Sequence, residues 1–221
     1  MDPKPTPTIE DYLGVIYTLE RDREKVIGAR LAEILDVSPP TVTVTLKRML
    51  RDSWITINEK KQIHLTSTGK AAAISVIRRH MLTEWLLSRV LDIPWSELHA
   101  EADKLEHSIS KDVEDRLIST LEDPLSCPHG NPMPGQESIS TDWQILTSFD
   151  IGDTCVIKRI HEWLESDPEM MIFLEDNHVI PGNTAKIIGY SQSKKTIEIS
   201  VENKSSSIGI DIADKIFASN T

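Results

Sequence analysis

The chain has 221 residues, of which 39% are hydrophobic and 27% are charged, and its formal net charge is −11. Such a composition is ordinary for a globular protein. No apolar run approaches the roughly 20 residues that cross a bilayer, residues 1–12 lack the basic and apolar regions of a signal peptide, and Cys127 and Cys155 are too few for a disulfide framework. We therefore expect a cytoplasmic protein with no membrane partner.

The acid excess is unevenly distributed. Residues 1–75 carry 11 basic and 10 acidic side chains, whereas residues 76–145 carry 6 and 13, and residues 146–221 carry 7 and 12. A nucleic-acid surface is therefore to be sought in the N-terminal third. Bound divalent cations would offset part of the excess in the middle segment.

Helical periodicity dominates the start of the chain. Apolar residues at helical spacing predict helices over 9–19 and 28–35. Ser38 suits an N-cap and Pro39 the first position of a third helix, which should end near Asp52.

A β-hairpin is predicted next. The β-like runs 54–57 and 62–65 are separated by a polar turn at 58–61. The order helix, helix, turn, helix, hairpin is that of a winged helix-turn-helix.

The middle of the chain predicts two further helices. Thr66 or Ser67 can begin a long helix that ends near Leu91, and a second helix is expected over 96–121. A loop rich in proline and glycine follows at 124–135.

Short β-like runs at 154–160, 184–190, 196–201 and 208–212 predict a small C-terminal β-barrel. The predicted fold class is mostly α with β. The predicted domains are a winged helix-turn-helix DNA-binding domain at 1–72, a helical dimerisation and metal-binding domain at 73–140, a linker at 141–148 and an SH3-like barrel at 149–221.

One stripe of the helix predicted over 96–121 carries an unusual set of side chains. His99, Asp103, Glu106 and His107 stand at i, i+4, i+7 and i+8, within an arc of roughly 100°. Two carboxylates and two imidazoles crowded beside an apolar stripe repel and desolvate one another unless a cation lies among them.

A second set stands on the preceding helix, where the i, i+4 pair His80 and Glu84 can hold one ion. The alternative for each set is a hydrated charged face. Mixed nitrogen and oxygen ligands suit manganese, iron(II), cobalt or zinc.

The chain resembles the diphtheria toxin repressor family of metal-dependent regulators over nearly its whole length. The strings that carry the resemblance are SPPTVTVTLKRML, LTSTGKA, RRHMLTEWLL, WSELHAEADKLEHSIS and CPHGNPMPG. The resemblance implies a DNA-binding repressor of metal-uptake genes that acts as a homodimer on a palindromic operator. It implies neither an enzyme nor a small-molecule substrate.

The resemblance also implies a primary metal site formed by Asp11, Asp103, Glu106 and His107. Iron-responsive members have a methionine and a cysteine at the first two positions, so the harder oxygen ligands of this chain favour manganese. Gly14 stands where some manganese regulators have a second acid, so the resemblance does not predict a two-ion cluster of their type.

An ancillary site would use His80, Glu84 and His99, completed by Asp167 or Glu169. The predicted cofactor is Mn²⁺, with Fe²⁺ as the alternative, and Co²⁺, Zn²⁺, Ni²⁺ or Cd²⁺ as ions that the sites could take in vitro.

The loop cysteine has two interpretations. Some family members use the residue at Cys127 as an extra primary-site ligand, and a structural cysteine in a tight proline turn is the alternative. The neighbouring His129 has the same two interpretations, as a ligand or as a structural residue.

The third helix is the predicted DNA-reading element. Its N-terminal end offers Ser38, Pro40, Thr41 and Thr43, its outer face offers Val44, Lys47, Arg48 and Arg51, and the hairpin turn adds Lys60 and Lys61. Val44 stands where many family members have glutamine, so base preference should differ. Trp54, where a glycine is usual, is assigned to packing.

Three other functions remain open at this point. An iron-responsive repressor would have the same architecture, a metallo-hydrolase would need a nucleophile or general base for which we find no motif, and a structural metal protein would not bind DNA.

Overall fold

The computed structural model describes residues 4–221, so the first three residues of the predicted domain 1–72 lie outside the described part. The chain forms two compact units, and the boundary between Arg79 and His80 falls inside one long helix. No helix among the described residues combines the length and the apolar character needed to cross a bilayer.

The first unit has the predicted winged helix-turn-helix order. Its elements are helices α1 (Pro7–Arg21), α2 (Gly28–Ile34) and α3 (Pro39–Arg51), strands β1 (Ile55–Ile57) and β2 (Ile63–Leu65), and the beginning of α4 (Ser67–Leu91). The strands pair antiparallel. Ser38 caps α3 by accepting a hydrogen bond from Thr41 N, as its N-cap position predicts. Val42, Leu46 and Met49 are buried, while Leu50 is 40% exposed.

The beginning of α4 lies close to the hairpin. Thr66 N donates to Trp54 O at 3.1 Å. A Cβ on Gly69 would lie 1.9 Å from Trp54 O, so only glycine allows this close approach. Trp54 is 4% exposed, which agrees with the packing role expected for it.

The helical part of the second unit is more broken than the pattern predicts. A 3₁₀ turn at Trp95–Glu97 leads into α5 (Leu98–Leu105), a second 3₁₀ turn at Glu106–Ser108 follows, and α6 spans Lys111–Thr120. The single helix predicted over 96–121 is therefore wrong. Ser110 begins α6 as an N-cap that accepts from Val113 N, and Ile109 before it is extended.

The C-terminal sheet has six strands, which are β3 (Gln144–Ile145), β4 (Thr154–Ile160), β5 (Thr184–Ser191), β6 (Thr196–Val201), β7 (Lys204–Gly209) and β8 (Ile216–Asn220). All neighbouring strands pair antiparallel, in the order β3-β8-β4-β5-β6-β7. Helices α7 (Glu162–Glu165) and α8 (Pro168–Asp176) follow β4, and α9 (Ile210–Ala213) follows β7. The strands and helices of this region share one buried apolar core, which includes Ile157, Ile187 and Ile199.

Two expectations for this region need correction. The predicted strand 208–212 divides between the end of β7 and the short helix α9. The predicted linker 141–148 contains β3, which pairs with β8, so the sheet begins before Phe149.

Candidate functional site

Four side chains of the second unit converge on one point. His80 and Glu84 lie on α4, His99 lies on α5 and Glu165 ends α7, and one potential ligand atom from each lies within 4.8 Å of the others. Glu84 and Glu165 are buried, and the two histidines are mostly buried. We call these four residues the histidine–carboxylate cluster.

Distances in this cluster match those between ligands of one ion. His80 Nε2 lies 3.0 Å from His99 Nδ1 and 3.2 Å from Glu84 Oε1, and His99 Nδ1 lies 3.0 Å from Glu165 Oε2. Two ligands at about 2.1 Å from a cation lie about 3.0–3.4 Å apart in octahedral or tetrahedral geometry. The cluster therefore has the spacing and the donor types of a divalent-metal site.

One oxygen of the cluster has no hydrogen-bond partner among residues 4–221. This atom is the buried Glu84 Oε2, whereas Glu84 Oε1 contacts both His80 and His129. An unsatisfied carboxylate oxygen in the interior is costly. A bound cation would satisfy it, so these residues fit a metal ion.

The imidazoles of the cluster hold protons firmly. Burial alone would lower the pKa of His99, but hydrogen bonds to Glu165 and Glu84 outweigh it and raise this pKa to about 10. Burial likewise opposes protonation of His80. Its hydrogen bonds to carboxylates, of which the one to Asp103 contributes most, outweigh burial and raise the pKa of His80 well above the usual value. A cation that binds these nitrogens must therefore displace protons.

Part of the predicted primary set lies on the other side of the His80 ring. His80 Nδ1 is 2.6 Å from Glu106 Oε2 and 3.3 Å from Asp103 Oδ1. His107 Nε2 lies 3.6 Å from Glu106 Oε1. In the second unit, the two predicted ligand sets are thus adjacent and meet at His80.

Asp11 lies exposed on α1 of the first unit. Its predicted partnership with Asp103, Glu106 and His107 of the second unit therefore stays a prediction.

The carboxylate of the C-terminal domain that joins the cluster is Glu165, which the sequence pattern does not single out. Asp167 and Glu169, the two residues considered, are exposed, and Asp167 instead caps α8 by accepting from Met170 N at 3.1 Å. The burial of Glu165 was the missing signal, and the local sequence pattern does not reveal it.

The ambiguous loop residues lie beside Glu84. Cys127 Sγ, a His129 ring nitrogen and a Glu84 carboxylate oxygen lie within 4.8 Å of one another. Burial, together with the charges of Glu84 and Glu165, raises the pKa of the Cys127 thiol well above its usual value, so these surroundings favour the neutral thiol.

His129 has no ring nitrogen available for a cation in this arrangement. Among the described residues, its Nδ1 lies 3.1 Å from Glu84 Oε1 and its Nε2 lies 3.0 Å from Trp95 O. Both partners are acceptors, so both nitrogens donate. Burial opposes protonation of His129, but the charges of Glu165 and Glu84 outweigh it and raise the pKa of this ring, in agreement with these hydrogen bonds.

The predicted DNA-binding side chains are all exposed. They are Ser38, Pro40, Thr41, Thr43, Val44, Lys47, Arg48 and Arg51 on or before α3, with Lys60 and Lys61 in the hairpin turn. Val44 is 68% exposed although it is apolar. Arg51 donates twice to Asp52, at 2.7 and 2.9 Å. The first unit thus presents a basic and threonine-rich helix face to solvent.

Comparisons with known proteins match all three parts of the chain. Residues 4–63 match the family model described as the iron dependent repressor, N-terminal DNA binding domain. Residues 66–135 match the iron dependent repressor, metal binding and dimerisation domain, and residues 145–220 match the FeoA domain.

Individual proteins agree with these matches. The iron-dependent repressor IdeR of Mycobacterium tuberculosis is 39% identical over 185 residues, which cover 79% of this chain and 80% of that protein. The diphtheria toxin repressor of Corynebacterium efficiens is 40% identical over 190 residues, covering 82% and 83%. A solved structure of a manganese-dependent transcriptional repressor in complex with manganese has a TM-score of 0.83 and 26% identity, covering 96% of this chain and 100% of that chain.

The resemblance inferred from the sequence strings is confirmed, and it concerns regulators rather than enzymes. This chain belongs to the diphtheria toxin repressor family of metal-dependent, DNA-binding transcriptional repressors.

Proposed function

We propose that the chain is a manganese-activated cytoplasmic repressor that binds a palindromic operator as a homodimer and silences genes for metal uptake. The observation that carries the metal part is the donor set of the histidine–carboxylate cluster. Two imidazole nitrogens and two carboxylate oxygens converge there, and the buried Glu84 Oε2 has no hydrogen-bond partner in the part of the chain that the structure describes. Such nitrogen and oxygen donors suit divalent first-row metals.

The choice of manganese rests on hard ligands. Asp11 and Asp103 stand where the iron-responsive members of the family have methionine and cysteine, and carboxylates favour manganese more than sulfur ligands do. Iron(II) is the second candidate. The observation that favours it is that the IdeR relative, named as iron-dependent, is 39% identical.

We assign the residues to two sites. The primary site would be formed by Asp11, Asp103, Glu106 and His107, and the ancillary site by His80, Glu84, His99 and Glu165. A bound cation supplies the positive charge that neutralises these carboxylates. Asp103 and Glu106 both contact the same ring nitrogen of His80. Their negative charges oppose each other in the metal-free state.

The assignment of Asp11 rests on the resemblance alone. With Asp11 as a ligand, the DNA-binding domain would contribute to the primary metal site. Bound metal would then raise the affinity of the protein for its operator, and bound operator would raise its affinity for metal by the same factor.

For DNA, we assign α3 to the major groove. Ser38, Thr41 and Thr43 would lie near base edges, and Lys47, Arg48, Arg51 and Lys60 near phosphates. Val44 would contact a thymine methyl group, because it has no hydrogen-bonding atom in its side chain. A homodimer would place two such helices in successive major grooves. The exposed apolar side chains of Val90 and Leu91 at the end of α4 are consistent with a protein partner.

The test is operator binding under controlled metal. Fluorescence anisotropy with a DNA fragment from the protein's own promoter region is measured with Mn²⁺, with Fe²⁺ under anaerobic conditions, and with chelator. Mn²⁺ should raise the affinity by about 5- to 150-fold. Equal affinity in chelator would refute the proposal, and a larger effect of Fe²⁺ would establish the second candidate.

Two variants address the primary site. Asp11→Ala and Glu106→Ala should abolish the metal response while leaving the dimer intact in analytical ultracentrifugation. The matched control is Glu101→Ala, which should keep the full metal response. Glu101 is also an acid on α5, but it pairs with Lys104 at 2.6 Å and belongs to neither assigned site. A full metal response in either test variant would refute the assignment of the primary site.

A further inference from the structure

The loop of residues 127–132 lies against the end of strand β4. Ile160 N donates to His129 O at 2.9 Å, and Asn131 Nδ2 donates to Ile160 O at 2.8 Å. The indole of Trp95 donates to the carbonyl of Pro128 at 3.1 Å. The loop backbone is therefore held at several points.

Gly130 permits this close approach. Its φ is +87°, and a Cβ at this position would lie 1.9 Å from Lys158 O. A larger residue would displace the loop from β4. The position of Gly130 thus determines where its two neighbours, His129 and Asn131, place their side chains.

Asn131 is fully buried and holds Glu165. Its Nδ2 donates to Glu165 Oε1 at 2.5 Å, and its Oδ1 accepts from Arg159 Nε at 2.5 Å. Arginine can only donate, so the amide orientation is determined by its partners. With Oε1 occupied, Glu165 Oε2 faces His99 Nδ1 at 3.0 Å.

His129 holds the other carboxylate. It is fully buried and lies between Trp95 O and Glu84 Oε1, as described above. His129 and His80 both contact Oε1 of Glu84, and Oε2 has no hydrogen-bond partner among the described residues.

We propose that the loop 127–132 positions the two buried carboxylates of the cluster, with His129 orienting Glu84 and Asn131 orienting Glu165. This inference rests on the ancillary metal site proposed above. His129 and Asn131 are positioning residues that act on the metal through the carboxylates. Groups that hydrogen-bond to metal ligands typically contribute about 10- to 100-fold to metal affinity.

A double-mutant cycle tests the Asn131 half. Asn131→Asp keeps the size and the acceptor for Arg159 but removes both N–H donors, and Glu165→Gln removes the carboxylate. Mn²⁺ affinity is measured calorimetrically for the wild type, both single variants and the double variant. The absorption spectrum of bound Co²⁺ reports the ligand geometry.

In the wild-type background, Asn131→Asp should lower the affinity of the cluster for Mn²⁺ by about 10- to 100-fold. In the Glu165→Gln background it should cause no further loss of Mn²⁺ affinity. An equal loss in both backgrounds, or none in either, would overturn the inference. Thermal melting of the metal-free variants separates stability from affinity. The double variant should recover stability, because the introduced glutamine amide can donate to the introduced aspartate carboxylate, but it should not recover metal affinity.

Glu169→Gln removes a neighbouring exposed charge and should leave Mn²⁺ binding unchanged. If Glu165→Gln also leaves binding unchanged, the ancillary site proposed above fails together with the inference. If Glu165→Gln loses affinity and the cycle shows no coupling to Asn131, only the inference fails.

The His129 half is tested by a conservative pair. His129→Gln keeps an N–H donor for Glu84, whereas His129→Leu removes it. Glutamine should retain Mn²⁺ affinity within about threefold, and leucine should lose about 10-fold or more. Equal losses in the two variants would show that His129 only fills space.

Discussion

The outer face of α3 and the histidine–carboxylate cluster differ in how their side chains are held. On α3, the polar side chains are exposed and bonded locally, as when Thr43 Oγ1 donates to Pro39 O at 2.9 Å. In the cluster, α4, α5, α7 and the loop 127–132 bring buried charged groups together. A surface residue should therefore contribute to binding alone, whereas a cluster residue should contribute to both binding and folding.

The largest expected effect is that of Glu84→Ala. This substitution leaves the buried His80 and His129 without their shared carboxylate. Breaking a buried ion pair costs about 3–5 kcal/mol in the free energy of unfolding. Urea denaturation in the presence of chelator measures it, with Glu169→Gln as a control expected to change by less than about 0.5 kcal/mol. If Glu84→Ala lowered the free energy of unfolding no more than the control does, the two regions would not differ in this way.

The next largest effect is a pH dependence of stability and of Mn²⁺ affinity, which arises from the cluster. In the metal-free protein the pKa of His99 is raised to about 10 from 6.5, so the stability from this protonated ring is present below pH 6.5 and is lost as pH rises toward 10. Metal must displace the proton, so Mn²⁺ affinity should rise about tenfold per pH unit for each proton displaced. Calorimetry at about pH 6.5, 7.5 and 8.5 tests this expectation. A flat profile would contradict it.

A smaller effect is expected from Lys47→Ala on the surface. Removing one phosphate contact should weaken binding to all DNA sequences by about five- to tenfold and reduce the salt slope by about 1. The free energy of unfolding should change by less than about 0.5 kcal/mol. Salt titrations of operator binding and urea denaturation provide the two measurements. A stability loss comparable to that of Glu84→Ala would show that α3 is not a simple surface site.

The smallest expected effect is an increase in DNA affinity on substitution of Asp52. Asp52 accepts two hydrogen bonds from Arg51 and lies 4.0 Å from Arg48 Nε. Asp52→Asn would remove a competitor for DNA phosphates, and DNA affinity should rise by about two- to fivefold. Anisotropy at low and high salt checks this, since the gain should shrink in high salt. Weaker binding by the variant would show that Asp52 orients the arginines instead.

Local sequence rules predicted the first unit well. The Ser38 cap, the proline at the first position of α3 and the alternating hairpin specify their own elements, because each signal acts within a few residues. The pair His80 and Glu84 was likewise predictable, since both residues lie one turn apart on a single helix.

Predictions that needed contacts between distant segments were less complete. The 96–121 helix breaks at the 3₁₀ turn of Glu106–Ser108, which the apolar spacing does not indicate. Strand β7 has few apolar residues in its sequence KSSSIG, so the predicted strand 208–212 covers only its end, although β7 pairs with β6 along its whole length.

The sequence by itself determined the winged helix-turn-helix, the family resemblance and most residues of the candidate sites. Only the tertiary structure decided which acid of 165–169 joins the cluster and what the loop 127–132 contacts. The physical reason is burial. Glu165 has the same side chain as Glu169, and only packing against α5 and Asn131 distinguishes a buried member of the cluster from a hydrated surface charge.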